Sequence, residues 1–227
     1  MSASNVDQES GSVTERAPVA VIRPLEPEEL NEAGRVLARS HQSDPAFSWI
    51  YPDPARRAKA LAPLLTQWTR DALPHGGVYV AASDSAILGV FVTLPPGCFP
   101  LTLWRKIRIG SRYLPILTAA PRSFRALLSY QDEAERHHPE EESWYMEILG
   151  IDDGLRGLGL GTRLIEHVLA LADEQGAVSF CETAVERNVV HYERLGFQVT
   201  NPAVPLVKGG PTHWHMERPA RLHGAQP

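Results

Sequence analysis

The sequence predicts a mixed α/β (α+β) fold, and three observations carry that prediction. Strand-like and helix-like stretches alternate along the chain. Val78–Ala82 and Ile87–Leu94, two β-branched apolar runs separated by Ser83, Asp84 and Ser85, read as an antiparallel hairpin. Beyond the middle, an apolar strand runs through a glycine-rich loop into an amphipathic helix. With 227 residues, 43% hydrophobic and 22% charged, the chain can bury one core, so one domain with tails is expected.

Residues 1–17 are polar and read as a disordered tail, with no apolar run long enough for a signal peptide or anchor. Folding is expected from residue 18. Residues 19–25 read as a strand, and 26–40 as a helix with an acidic opening and spaced Leu30, Val36 and Leu37. Prolines and the aromatics Phe47, Trp49 and Tyr51 mark 41–54 as an ordered loop suited to lining a pocket, followed by a helix over 54–73. Pro95, Pro96 and Gly97 stop the hairpin's second strand.

Residues 101–137 read as a helical insert broken at Pro115 and Pro121. Basic Arg105, Lys106, Arg108, Arg112, Arg122 and Arg125 precede acidic Asp132, Glu133, Glu135, Glu140, Glu141 and Glu142, the pattern of solvated helix faces. A strand follows over 144–151, then a helix over 158–175 with Leu160, Leu164, Val168 and Leu171 on one face and Gly176 as its stop. Strands at 178–184, 197–200 and 212–217, with a short helix at 186–195, complete a domain expected over 18–218, and 219–227 reads as a loose tail.

Charge and cysteine content narrow the function classes. Twenty-two Lys and Arg against 27 Asp and Glu leave a net charge of -5, which supplies no field for a general nucleic-acid binder. Cys98 and Cys181 lie far apart in a chain that needs no disulfide framework, which fits a cytoplasmic setting away from membranes. The histidines at 137, 138, 213 and 215 invite a metal reading, but no Cys or carboxylate stands at a convincing ligand spacing, so no metal is expected.

The segment that carries chemistry is Arg156-Gly157-Leu158-Gly159-Leu160-Gly161 between strand and helix. Its glycines let backbone approach a ligand, and amides at the helix start suit a pyrophosphate, aided by the helix dipole and Arg156. No Lys follows a glycine, so the nucleotide-triphosphate loop fails. The dinucleotide fingerprint is damaged, because Thr162 and Leu164 stand where its third glycine belongs.

Arg156, Gly159 and Gly161 instead fit the pattern of Arg or Gln, two residues, Gly, one residue, Gly or Ala. In this the sequence resembles the GNAT superfamily of acetyl-CoA-dependent N-acyltransferases. Glu182-Thr183, Arg187-Asn188 and the run from His191 to Phe197, which contains Tyr192-Glu193-Arg194-Leu195-Gly196-Phe197, resemble the superfamily's later CoA-binding segment. The Trp144-Tyr145 strand, the Arg187-Asn188 to Tyr192 spacing and Trp214 are similar to the puromycin N-acetyltransferases.

The resemblance implies a central, mostly antiparallel mixed sheet flanked by helices, with strands splayed at the cofactor site. It implies acetyl-CoA as co-substrate and a loop and helix, through Arg156, Gly157, Leu158, Gly159, Leu160, Gly161 and Thr162, that cradle its pyrophosphate. Backbone at Leu149, Gly150 and Ile151 would meet the acyl carbonyl, and Tyr192 would stand near the CoA sulfur in a direct-transfer ternary complex.

The residues bear this chemistry. A phenol holds its proton at neutral pH yet can give it to a forming thiolate in a shielded site, so Tyr192 is the candidate acid, unless it merely packs under the sheet. Asn188, four residues earlier, shares its helix face, where it either bonds the pantetheine arm or caps the helix. Glu147, a buried carboxylate near Trp144 and Ile148, is the first choice of base, with Glu182 open as the alternative. Tyr145 shares alternation parity with Glu147, so both are expected at the acceptor pocket with His138, while Cys181 reads as core.

The expected function is acetyl transfer to a primary amine of a small molecule. A catalytically inactive CoA-binding sensor or scaffold and a protein N-acetyltransferase stay open as alternatives. The acceptor and the oligomeric state are not legible in the sequence.

Overall fold

A computed structural model describes residues 20–112, 121–139, 141–205 and 210–221. The expected N-terminal tail and all but the first residues of the expected C-terminal tail lie outside these. The elements are β1 (Val21–Pro24), a 3-10 turn (Pro27–Glu29), α1 (Leu30–Ser40), α2 (Pro45–Ile50), α3 (Pro54–Ala72), β2 (Val78–Ala82), β3 (Ile87–Leu94), α4 (Leu103–Arg112) and α5 (Pro121–Arg136). They continue with β4 (Ser143–Ile151), α6 (Leu160–Gln175), β5 (Val178–Thr183), α7 (Glu186–Arg194), β6 (Gln198–Pro205) and β7 (Thr212–Arg218).

The strands form one seven-stranded sheet in the order β1-β2-β3-β4-β5-β7-β6. Every neighbouring pair is antiparallel except β4 and β5, whose parallel pairing needs the crossover that α6 supplies. Two cores follow from the two faces. One packs Val36, Leu37, Leu61, Leu65 and Leu127 of α1, α3 and α5 on Val80, Val90, Val92 and Phe180. The other packs Leu160, Leu164, Ile165 and Val168 of α6 on Phe91, Met146, Cys181 and Met216. Cys181 is therefore core.

The structure departs from the sequence reading in three places. Residues 45–50, expected as loop, form α2, because Asp44 accepts the amides of Ala46 and Phe47 and Pro45 opens the helix. Pro27–Glu29 form the 3-10 turn, with Glu26 as its N-cap in a Glu26–Glu29 capping box, so α1 starts at Leu30. The expected strand over 197–200 extends to Pro205; β6 is an edge strand, where proline's missing donor costs nothing. In the insert Pro121 opens α5, whereas Pro115 lies outside the described residues.

No helix among the described residues is long and apolar enough to cross a membrane.

Candidate active site

The site begins where β4 and β5 part. Their parallel ladder runs only from Ser143↔Val178 to Met146↔Cys181, although β4 continues to Ile151. On its other side β4 pairs with β3, but Val92 faces Ile148 and Thr93 faces Met146, so Glu147 is the extra residue of a β-bulge. The bulge resets the alternation. Trp144 and Met146 pack toward α6 and Tyr145 toward the α1, α3 and α5 face; beyond the bulge Ile148 joins that second face while Leu149 and Ile151 turn to α6.

The backbone of β4 lines the resulting gap. Asp152 donates its amide to Leu88 O at 3.0 Å. By the two-residue period of an antiparallel ladder, the amides of Gly150 and Ile148 also point at β3, and those of Leu149 and Ile151 point into the gap. Of the three backbone positions the sequence nominated for the acyl carbonyl, Gly150 is thus turned away. Its lack of a side chain answers to α1, since a Cβ there would stand 2.3 Å from Ser40 Oγ and 3.0 Å from Leu37 Cδ2.

The glycine loop opens α6 from the same end of the gap. Gly157 and Gly159 have φ of 82° and 79°, left-handed values that favour glycine, and a Cβ on either would meet nothing within 4 Å. Gly159 is the N-cap of α6 and no side chain caps it, so the first-turn amides around Leu160, Gly161 and Thr162 have no capping side chain. Gly161 lies against Leu149 and Ile151, 3.6 Å from each for an added Cβ. The loop's side chains do less. Leu160 is 1% exposed and belongs to the core, so only its backbone can serve a ligand. Leu158 is exposed. Arg156 donates to Ser40 O at 2.6 Å and pairs with Asp153 at 2.7 Å, which ties the loop to α1.

From the other side, α7 brings Asn188 and Tyr192 to one cleft of about 830 Å³ including its mouth, with Glu147, Leu149, Glu182 and His41 also in its wall. Asn188 Nδ2 reaches Thr183 Oγ1 at 3.3 Å, at the end of β5. Tyr192 packs edge-on against Phe197, 5.5 Å between centroids, beyond the Gly196 turn. Burial, with the Cys181 thiol beside it, pushes the Tyr192 phenol far above its ordinary value, so it stays protonated. His41 bonds Leu37 O through Nδ1, and burial lowers its proton affinity.

Glu147 stands between this cleft and a second, much tighter cavity that opens to solvent. Tyr145 shares that second cavity with it, along with Trp68, Phe99 and Tyr130. Burial raises the Glu147 carboxyl from 4.5 to about 8; the Asp71 charge adds to this, Arg105 opposes it, and Glu182 adds a little more. Trp144 has no part in it. The indole lies on the other face and donates to Gln175 Oε1 at 2.9 Å.

Glu182 is held differently. Tyr145 Oη donates to its Oε1 at 3.1 Å, Tyr130 also bonds it, and His215 Nε2 lies 3.5 Å from its Oε2. Burial first, and the Glu182 charge next, hold both phenols well above their usual value. His138 stands one layer back, bonded to Ser143 Oγ at 3.2 Å and edge-on to Phe99, Tyr145 and Phe180; burial lowers it to about 4. It can shape the second cavity only through Phe99 and Tyr145. Of the other histidines that invited a metal reading, His137 stacks on His215 at 4.4 Å and His213 Nδ1 lies 3.4 Å from Pro211 O, while neither ring nitrogen of His215 has a hydrogen-bond partner among the described residues.

Sequence reasoning missed Trp68, Asp71, Arg105 and Tyr130. Arg105 belongs to the basic run read as solvated, yet it is buried, pairs with Asp71 and donates to Cys98 O. No local pattern marks it; its partner lies 34 residues away.

Comparison with known proteins agrees with this architecture. The structure is similar to a histone acetyltransferase HPA2 and related acetyltransferase from Corynebacterium glutamicum, with TM-score 0.69 and 22% identity over 91% of this chain and 99% of that one. It is similar to arylalkylamine N-acetyltransferase 2 from Aedes aegypti, with TM-score 0.67 and 16% identity over 89% and 99%. It is also similar to a Drosophila melanogaster polyamine N-acetyltransferase, with TM-score 0.56 and 19% identity over 88% and 98%. At such identities these likenesses speak for the fold. Residues 41–197 match the acetyltransferase (GNAT) family, and with the splayed strands and glycine turn in place, the chain belongs to that family.

Proposed function

We propose that the protein moves an acetyl group from acetyl-CoA to the primary amine of a small molecule, by direct transfer within a ternary complex. The observation that carries this reading is the convergence of Glu147 from β4 and Tyr192 from α7 on one cleft, beside a gap into which the Leu149 and Ile151 amides point. The comparison enzymes named for arylalkylamines and polyamines support an amine acceptor. The finer likeness to puromycin N-acetyltransferases rests on the Trp144-Tyr145, Arg187-Asn188 and Trp214 positions alone.

In this reading the amides of Gly157 to Thr162 hold the pyrophosphate, where the helix dipole favours negative charge. Asn188 bonds the pantetheine arm. The amides of Leu149 and Ile151 stabilise the carbonyl oxygen as it gains charge. The amine nitrogen attacks the thioester carbon, the carbon–nitrogen bond forms and the carbon–sulfur bond breaks. The nitrogen's proton passes to Glu147, and the Tyr192 phenol gives its proton to sulfur. A carboxylate raised to about 8 is a far better match to an alkylammonium than one at 4.5, so its abnormal affinity suits the base. Burial of Tyr192 disfavours a lasting phenolate, so its proton moves only as sulfur becomes negative, and is then replaced.

Free-thiol release from acetyl-CoA with a panel of primary amines tests this directly. Tyr192→Phe is expected to lower kcat by about a hundredfold while acetyl-CoA binding persists. Full turnover by that variant removes the acid role. Tight acetyl-CoA binding by the wild type, without thiol release on any amine, makes the protein a CoA-binding sensor instead.

A further inference from the structure

The second cavity differs from the cleft in what its walls offer. Trp68 of α3, Phe99 and Leu101 of the segment before α4, Tyr130 and Ala134 of α5 and Tyr145 of β4 give it a mostly apolar and aromatic lining. Its rings are already ordered against one another. Trp68 and Tyr130 lie nearly parallel, 16° apart with centroids 6.3 Å apart, and Phe99 packs on Tyr145 at 4.4 Å. Flat, ordered aromatic walls favour an apolar, preferably planar, guest over a flexible hydrated chain.

The cavity's charges point the same way. Three carboxylates line it: Asp71, Glu135 and Glu147. Asp71 is paired with the buried Arg105, and Glu135 with Lys106, each at 2.5 Å. In the adjoining cleft Asp44 accepts the amides that open α2, and Glu182 accepts from Tyr145 at Oε1 while its Oε2 has no hydrogen-bond partner among the described residues. Glu147 alone of the three has no ion-pair partner among the described residues. One cation can therefore be received there, whereas a second ammonium held among the aromatic rings would find the cavity's other two carboxylates, Asp71 and Glu135, already ion-paired.

We propose that this cavity is the acceptor's specificity pocket and that it takes a monoamine carrying a flat apolar body, with its single amino group at Glu147 and its ring among Trp68, Phe99, Tyr130 and Tyr145. The proposal rests on the acetyltransferase reading above and names the substrate class of that same site. It separates this protein's acceptors from diamines, polyamines and aminoglycosides, which bring several cations. Ala134 and Leu101, from different walls, set how much room the ring has.

The test is steady-state turnover by the intact wild-type protein with acetyl-CoA and 2-phenylethylamine, butylamine, 1,4-diaminobutane or spermidine. The expected result is a kcat/KM for 2-phenylethylamine at least tenfold above butylamine, expressed in KM, with both polyamines at least tenfold below butylamine. Equal or better use of 1,4-diaminobutane or spermidine overturns the proposal while leaving acetyl transfer intact. No turnover of any amine by protein that still binds acetyl-CoA overturns the acetyltransferase reading, and this inference with it. Two variants narrow the cavity, Ala134→Leu and Leu101→Phe. In whichever keeps the acetyl-CoA thermal shift, KM for 2-phenylethylamine should rise at least tenfold, and an unchanged KM assigns the ring to another place.

Discussion

Glu147 owes its chemistry to one extra residue in a strand. Because β4 bulges there, the carboxylate leaves the ladder's alternation and stands between two cavities, where burial and the Asp71 charge raise it to about 8 against the pull of Arg105. The reacting form of a base is the ionised one, so kcat/KM should rise with pH through a midpoint near 8 that disappears in Glu147→Gln. Arg105→Met removes the charge that lowers this value and should move the midpoint upward, whereas Asp71→Asn should move it downward. Opposite displacements in pH–rate profiles support the assignment, and a wild-type limb unmoved by all three substitutions refutes it. The same raised value bears on stability. The folded protein holds a proton on Glu147 that the unfolded chain releases near 4.5, so the cost of ionising it grows from about pH 4.5 to about 8. Glu147→Gln should therefore be more stable than the wild type at pH 8, by about 1 kcal/mol or more, with the difference vanishing toward pH 4.5.

The elements place these residues through close backbone approach. The α1 helix crosses the sheet where β4 offers Gly150, and a methyl there would collide with Ser40 Oγ and Leu37. Gly150→Ala should cost about 1–3 kcal/mol in denaturant unfolding and weaken acetyl-CoA binding by displacing Leu149 and Ile151 beside it; an unchanged midpoint would show that α1 yields freely. This scale is also where legibility in the sequence divides. The strand, glycine loop and α6 are legible because period-2 and period-3.6 patterns and three glycines fall within one stretch. The short α2 is not, since six residues carry no helical period and its signal is the Asp44-Pro45 cap. Nor is the bulge at Glu147, because it exists only in the register with β3, more than 50 residues upstream. Tyr192 is legible through the family resemblance and phenol chemistry, Asn188 through its helix spacing from Tyr192, and Glu147 through its place on the strand before the glycine loop. The parity that joins Tyr145 to Glu147 is broken by the bulge, yet the structure still gathers all four around adjoining cavities. Trp68, Asp71, Arg105 and Tyr130 come from three helices and meet only in the fold.

Across the whole molecule, one division of labour runs through the sheet. The α6 and α7 face, with the splayed end of β4, supplies backbone amides, a helix N-terminus and Tyr192, the parts suited to a phosphate-bearing thioester. The face under α1, α3 and α5 supplies aromatic walls and ion-paired acids, the parts suited to an amine. Glu147 belongs to both cavities, so the two substrates would meet there in a ternary complex. The Arg218 guanidinium, bidentate to Asp173 at 2.8 Å, ties β7 to α6 and joins the last strand to the donor side. If the gap between β4 and β5 with the turn before α6 binds acetyl-CoA, that ligand must stabilise the folded state selectively. The most direct measurement is the thermal unfolding midpoint of the purified protein with acetyl-CoA, CoA, NADH or ATP at matched concentrations. A ligand at a hundred times its Kd adds about 2.7 kcal/mol to the folded state, so acetyl-CoA should raise the midpoint by several degrees, CoA by a similar or smaller amount, and NADH and ATP little. A folded protein that acetyl-CoA and CoA leave unmoved, or one that NADH alone stabilises, has no acetyl-CoA site in this gap.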